Sequence, residues 1–377
     1  MRVLLFTGKG GVGKTTLAAA TAACLARRGR KTLVVSTDPA HSLSDAFGLP
    51  LAAEPAEVES SLHAAQVDAR GLVDSAWTTL REQLRAALTG AGLDALEAAE
   101  LTVLPGVDEL LALTEVRRLI ETGPWDSVVV DCGPTAETLR LLALPEAVSG
   151  YLARAYGWKT RFGLSRSVQR LATHLESLRE LLTDRETTTV RLVLTPERMV
   201  VAETRRTLTS LALRGIRVDG LVANRLVPAP GRWRGSAAAW LRTRRAEQER
   251  VLEELRACGL GEPQLRSVEH RAAEPVGLAA LLEIADELYG QASPLTGEYD
   301  SAPLLRVSDV DNGYELRIAL PLSRDSVVDL ARVDDDLAVT VDGFRRLLAL
   351  PEALRPCRVV GAESDARGLL VRLEKSS

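Results

Sequence analysis

The 377-residue sequence is short of lysine, methionine and cysteine, and each shortage excludes something. Met1 and Met199 are the only methionines, so the pliable methionine-rich surface of promiscuous groove binders is missing. Cys24, Cys132, Cys258 and Cys357 stand far apart with no CxxC pair. That leaves no sequence basis for a zinc site or a disulfide framework, and free thiols suit a reducing cytoplasm. No window offers the ~18 uncharged apolar residues of a spanning helix, so no membrane span is expected. The start MRVLLFTGKGG runs into glycine and lysine without a small-residue cleavage site, which argues against a signal peptide. A formal net charge of -4 provides no basic footprint, so nucleic acid is not an expected partner. The one basic cluster, Arg232, Arg234, Arg242, Arg244 and Arg245, reads as a solvated helix face. With 46% hydrophobic and 26% charged residues the chain is an ordinary folded protein rather than a disordered one.

Of 47 basic residues only five are lysine: Lys9, Lys14, Lys31, Lys159 and Lys375. Two of the five fall in one short loop. A chain that otherwise uses arginine has kept lysine there, where a compact ammonium has a different use from a guanidinium.

Apolar runs at 2–7, 32–37, 127–131, 190–195 and 218–223 alternate with helical patterns. Runs apolar on both faces suit a parallel sheet covered by helices, which predicts an α/β, doubly wound, mostly parallel core over 1–290. The stretch between the second and third runs shows no strand character. It carries Leu80, Leu84 and Leu88, then Leu110, Leu113 and Val116, at helical spacing, so a helical insertion is expected at about 71–122 and a second at 151–186. Residues 291–302 read as a linker. Beyond it Tyr314, Leu316, Ile318 and Leu320, then Leu337, Val339 and Val341, repeat every two residues, predicting a separate β domain over 303–377.

The strand VLLFT leads through GKGGVGKTT into LAAATAACLARRG, the context the G-x-x-x-x-G-K-[ST] motif requires. Such a loop curls its amides toward phosphate oxygens while the helix adds its positive end, so ATP is expected on Gly8, Lys9, Gly10, Gly11, Val12, Gly13, Lys14, Thr15 and Thr16. Lys14 is placed for the β- and γ-phosphates, Thr15 for Mg²⁺ and Thr16 for the α-phosphate. Asp38, after the second strand, is the candidate to orient the attacking water. Asp131 ends the third strand as a Mg²⁺ second-sphere acid, and Gly133 offers an amide near the γ-phosphate. His41 and Asp45 read as helix-capping loop residues.

GKGGVGKTT, STDPAHSLSDAF, LPGVDELLALTEV, DCGPTAETLR with LLALP, and VLTPERMVVAETRRTL resemble, in order and spacing, the arsenite-pump ATPase and tail-anchored-protein targeting-factor family. In its deviant class of loops the lysine at the position of Lys9 reaches into a partner's site, as an arginine finger does, which implies a nucleotide-sandwich homodimer. The resemblance also implies that Asn224 reads the adenine and that SVEHRAAEPVGLAAL closes over it. The chain departs from its relatives in places. GRWRGSAAAWLRTRR lacks the zinc-sharing CxxC, the cysteines are not grouped for a metalloid, and only one P-loop is present. Glu137 stands where many members have histidine. Cys132 sits where nitrogenase iron proteins hold a cluster, yet no suitable second thiol accompanies it, so neither zinc nor an Fe–S cluster is expected. YELRIALPL, LAVTVDGFRRLLALP and VVGAESDARGLLVRLEK resemble the α-crystallin domain of small heat-shock proteins, without the I-x-I tail that builds their shells.

Together these imply a cytoplasmic, Mg-dependent homodimeric ATPase that couples hydrolysis to hydrophobic or membrane-protein clients. The alternatives are an arsenite- or anion-pump-associated ATPase and a regulatory ATPase of the Min or plasmid-partitioning type.

Overall fold

The computed structural model describes residues 1–38, 42–67, 107–133, 166–229, 231–232, 234–256, 264–295, 305–320, 322, 326–365 and 368–375. Strand β1 (Arg2–Thr7) opens through the glycine loop into helix α1 (Lys14–Arg27). β2 (Thr32–Ser36), α2 (Ser42–Phe47), β3 (Ala56–Glu59) and β4 (Leu62–Gln66) come next. Helix α3 (Val107–Thr122) leads to β5 (Ser127–Asp131), α4 (Arg166–Thr183) to β6 (Thr188–Leu194), and α5 (Arg198–Leu213) to β7 (Val218–Leu226). Then come α6 (Ser236–Arg256), β8 (Gln264–Glu269) and α7 (Leu278–Tyr289). The chain packs as two units, Met1–Thr189 with Ala273–Pro294, and Val190–Ala272 with Leu295–Ser377. Strands β1 to β8 form the mostly parallel α/β sheet, ordered β3-β4-β2-β5-β1 in the first unit and β6-β7-β8 in the second.

In the first unit every strand pair is parallel except β3 with β4. Val3 to Phe6, Leu33 to Val35 and Val128 to Val130 are all buried, as a sheet covered on both faces demands. Helix α1 is buried continuously from Leu17 to Ala26, packing on β2 and β5 and against α7. A helix apolar all round needs such enclosure. Its few polar groups are matched to α7 and to the turn just beyond that helix. Thr21 and Tyr289 pair their hydroxyls at 2.7 Å, Arg27 bridges to Asp286, and Arg28 donates to the carbonyls of Gly290 and Ala292 at 2.8 and 2.6 Å.

One expectation is corrected here. The stretch after β2 holds two strands, β3 and β4, and β8 is a further strand the apolar runs do not reveal. β4 is LHAAQ and β8 is QLRSVE, so each gains its place by backbone pairing rather than by β-branched side chains. Helices α3 and α4 occupy parts of the two spans expected to be helical. Residues 71–106 and 151–165 of those spans, with Leu80, Leu84 and Leu88, lie outside the described residues.

In the second unit β6, β7 and β8 are parallel, and Arg191 on β6 forms a buried ion pair with Asp219 on β7 at 2.9 Å, the side chains 3% and 1% exposed. The C-terminal strands are β9 (Leu305–Val310), β10 (Gly313–Ile318), β11 (Val328–Val333), β12 (Asp336–Val341), β13 (Phe344–Ala349), β14 (Cys357–Asp365) and β15 (Gly368–Lys375). They form antiparallel sheets β14-β15-β10-β9 and β11-β12-β13. Leu316, Ile318 and Leu320, Leu337, Val339 and Val341, and Leu369, Val371 and Leu373 are buried in one cluster, as the two-residue alternation predicts. Gly368 is required by close packing: with φ at 116°, a Cβ there would lie 2.1 Å from the Ile318 carbonyl oxygen. Among the described residues no helix is long and apolar enough to cross a membrane.

Candidate functional site

The first unit builds its site where β1, β2 and β5 end. Thr7 closes β1 and the chain turns through Gly8 to Gly13, with φ at 77° for Gly11 and 92° for Gly13. These left-handed values are open to glycine at little cost. A Cβ at Gly10 or Gly11 would meet nothing within 4 Å, so the loop's outer face is open. Gly13 caps α1 without any side-chain hydrogen bond, leaving the first-turn amides of a fourteen-residue helix without a side-chain cap among the described residues. Lys14 is only 6% exposed and donates from Nζ to the Lys9 carbonyl at 3.3 Å, so its ammonium lies folded across the loop. The Lys9 side chain is exposed, Val12 is buried and Thr16 is half-buried.

Beneath the loop lies a buried cluster. Asp131 accepts at Oδ2 from the Thr15 hydroxyl at 2.8 Å and from the Ser36 hydroxyl at 2.9 Å, and Ser42 Oγ lies 2.9 Å from Thr15 Oγ1. The other oxygen, Asp131 Oδ1, is buried with no hydrogen-bond partner among the described residues. Burial pushes this carboxyl up to about 6, against the opposing hydrogen bonds from Thr15 and Ser36 and the charge of Lys14. An ionised oxygen held without a donor, beside a threonine hydroxyl and an open phosphate loop, is the hard-oxygen setting that suits Mg²⁺ with bound water.

Asp38 is half-buried. Its N–H donates to Ser36 Oγ at 3.2 Å and its carbonyl accepts from Gln66 Nε2 at 2.9 Å. Gly133 donates its amide to Thr37 Oγ1 at 3.4 Å, and the Thr37 hydroxyl in turn meets the Asp131 carbonyl at 3.3 Å. One buried network therefore ties the ends of β2 and β5 together. Ser36, Thr37 and Ser42 lie in the STDPAHSLSDAF stretch but are not singled out by the motif. Gln66 is invisible to sequence reading, because its strand carries no β-branched or alternating pattern. His41 lies outside the described residues, and Asp45 is exposed in α2. Cys132 is buried, and burial pushes its thiol up to about 12, which keeps it protonated. Cys24 and Cys357 are buried and free as well.

Asn224 belongs to the second unit, half-buried near the end of β7, where its Oδ1 accepts the Arg225 N–H at 2.9 Å. The basic cluster is only partly the solvated face the sequence suggests. Arg232, Arg234 and Arg242 are exposed or nearly so, whereas Arg245 is tied to Glu249 at 2.7 Å, to Glu269 at 2.8 Å and to the Val227 carbonyl at 2.7 Å. The reason is spacing: Glu249 lies one turn along the helix, and β8 brings Glu269 to the same flank.

Residues 1–290 match the family of anion-transporting ATPases, and residues 311–373 match the HSP20-like domain found in ArsA. The chain is 38% identical to protein Rv2184c of Mycobacterium tuberculosis, over 98% of this chain and 95% of that protein. It is 35% identical to a Prosthecochloris vibrioformis protein named "Putative arsenical pump-driving ATPase", over 94% of this chain and 91% of the relative. A protein named "Putative arsenical pump-driving ATPase 1" from Aquifex aeolicus is 28% identical, over 98% and 99%. With a phosphate loop in its strand-loop-helix setting and the family matched over 1–290, this chain belongs to the anion-transporting ATPase family, an ATP hydrolase that carries a C-terminal HSP20-like domain.

Proposed function

We propose that the protein is a Mg²⁺-dependent ATPase working as a nucleotide-sandwich homodimer in the cytoplasm. Hydrolysis would be coupled to binding of hydrophobic or membrane-protein clients, with residues 1–290 as the ATPase, 291–302 as linker and 303–377 as the β domain. The observation that carries the ATPase chemistry is the buried Thr15–Asp131–Ser36 cluster with its unpartnered carboxylate oxygen beneath an uncapped helix N-terminus.

In this reading the amides of Gly8 to Thr16 bind the phosphate chain, and Lys14 leaves the Lys9 carbonyl to meet the β- and γ-phosphates. Thr15 and Asp131 would hold Mg²⁺, which would supply positive charge against the phosphates. Asp38 orients the attacking water and Gly133 offers its amide to the γ-phosphate. Lys9, exposed at the loop's crest, acts across the dimer on the developing charge. Asn224 reads the purine edge with its paired donor and acceptor.

Asp38→Asn is expected to lower turnover at least about 100-fold while leaving nucleotide affinity nearly unchanged, by the usual magnitude for a positioned acid–base group. Unchanged turnover would remove Asp38 from the mechanism. Sedimentation with a γ-phosphate mimic is expected to show a compact dimer; a monomer there counts against Lys9 acting in trans. A second reading, an ATPase that drives an arsenical pump, is favoured by the names of the relatives. Crosslinking of ATP-trapped Asp38→Asn protein separates the two: membrane-segment clients support targeting, and a membrane pump supports the alternative.

A further inference from the structure

Regular pairing of β7 with β8 fails at one place. β7 advances from Ala223 to Leu226 while β8 advances only from Ser267 to Glu269, so the ladder carries an extra residue at Asn224–Arg225. Arg225 has φ at 59°, one of few non-glycine residues in the left-handed region among those described. A bulge of this kind bends its strand and re-aims a side chain. Here the re-aimed side chain is Asn224.

The bulge is held from helix α6. Gln248 is 4% exposed, and both ends of its carboxamide serve the bend: Oε1 accepts the Val227 N–H at 2.8 Å, and Nε2 donates to the Arg225 carbonyl at 3.4 Å. Arg245, one turn earlier, donates to the Val227 carbonyl at 2.7 Å and to Glu269 at 2.8 Å. The helix thus supplies hydrogen bonds to backbone groups flanking the bulge. The Arg225 N–H, in turn, donates to Asn224 Oδ1 at 2.9 Å and fixes which end of that carboxamide is oxygen.

We propose that Gln248 is a positioning residue for base selection: by locking the bulge it fixes the orientation of the Asn224 carboxamide and so sets the preference for adenine over guanine. The inference rests on the reading of Asn224 as the purine reader. Adenine presents an amino donor beside a ring-nitrogen acceptor, and guanine presents an oxygen acceptor beside an N–H donor. A carboxamide free to turn over can match either; one held in a single orientation matches only one, which in this reading is adenine.

The test is steady-state hydrolysis of Mg-ATP and Mg-GTP by full-length wild type, Gln248→Leu, Gln248→Glu and Asn224→Ala. Gln248→Leu is expected to raise KM for ATP about tenfold, hold kcat within about twofold, and narrow the ATP/GTP ratio of kcat/KM about tenfold, the factor that about one net hydrogen bond commands. Gln248→Glu keeps an acceptor for the Val227 N–H, and serves if the leucine impairs folding; about threefold narrowing is expected of it. A wild-type ratio in folded Gln248 variants, together with a lost preference in Asn224→Ala, overturns the role of Gln248 alone. An unchanged ratio in Asn224→Ala overturns the base-reading assignment itself, and this inference with it.

Discussion

Replacing Asp131 by asparagine is expected to stabilise the nucleotide-free, Mg²⁺-free protein while abolishing ATP hydrolysis. The carboxyl is buried, and its pKa is raised from an ordinary 3.8 to about 6. It binds its proton more tightly in the folded chain than in the unfolded one. Stability from this group is therefore full below pH 3.8, falls as pH rises through 6, and stays at the lower level above it. At about 1.4 kcal/mol per pKa unit, the ionised carboxylate costs on the order of 3 kcal/mol at neutral pH. Asparagine keeps an oxygen for Thr15 and Ser36, but its Nδ2 takes the position of the unpartnered Oδ1, where a buried donor without an acceptor costs about 1–3 kcal/mol. The stabilisation at pH 7.5 thus lies between nothing and about 2 kcal/mol, and its pH dependence is the sharper signal. Urea unfolding of both proteins at pH 4.5, 5.5, 6.5 and 7.5 with EDTA present measures it. The difference, variant minus wild type, is expected to grow by about 2 kcal/mol between the lowest and highest pH. A flat difference would refute the argument that ionised Asp131 is held at a cost, and with it the idea that this oxygen awaits a cation.

Three further outcomes are expected. Asp219→Ala leaves the Arg191 guanidinium buried without its carboxylate and is expected to destabilise the protein by about 3–5 kcal/mol in urea unfolding, whereas Arg191→Met with Asp219→Leu recovers most of it; equal loss in both would point to packing instead. Gly368→Ala, which drives a methyl against the Ile318 carbonyl at a positive φ, is expected to cost at least about 2 kcal/mol and to speed hydrogen exchange in residues 313–318; unchanged exchange would count against the packing described. The Cys132 thiol, pushed up to about 12 by burial, is expected to resist iodoacetamide at pH 8 until the protein is denatured, and rapid native labelling seen by peptide mass spectrometry would contradict its placement.

The phosphate loop is readable because its information is local: spacing, glycines and the flanking strand and helix all lie within one stretch. The same holds for the β sandwich, where Leu316, Ile318 and Leu320 announce their buried face by alternation. The features that stay hidden depend on pairing across the chain. Gln66 reaches the Asp38 carbonyl only because LHAAQ pairs with β2, and that segment has neither β-branched residues nor an apolar run. The bulge at Asn224 is equally silent, since Arg225 adopts a left-handed backbone without glycine to signal it. Gln248 sits within RTRRAEQER, whose charges suggest a helix surrounded by water; its burial comes from the bend it meets.

The closure of α1 by α7 has a consequence for how the protein is made. Thr21 finds its hydroxyl partner 268 residues later, and Leu281, Ile284, Ala285 and Leu288 are buried in the same unit that holds the phosphate loop. During synthesis the helix bearing Lys14 and Thr15 is therefore expected to lack its α7 cover until Tyr289 has left the ribosome. A chain cut before α7 keeps the phosphate loop, Asp38 and Asp131 and lacks the helix that packs on α1.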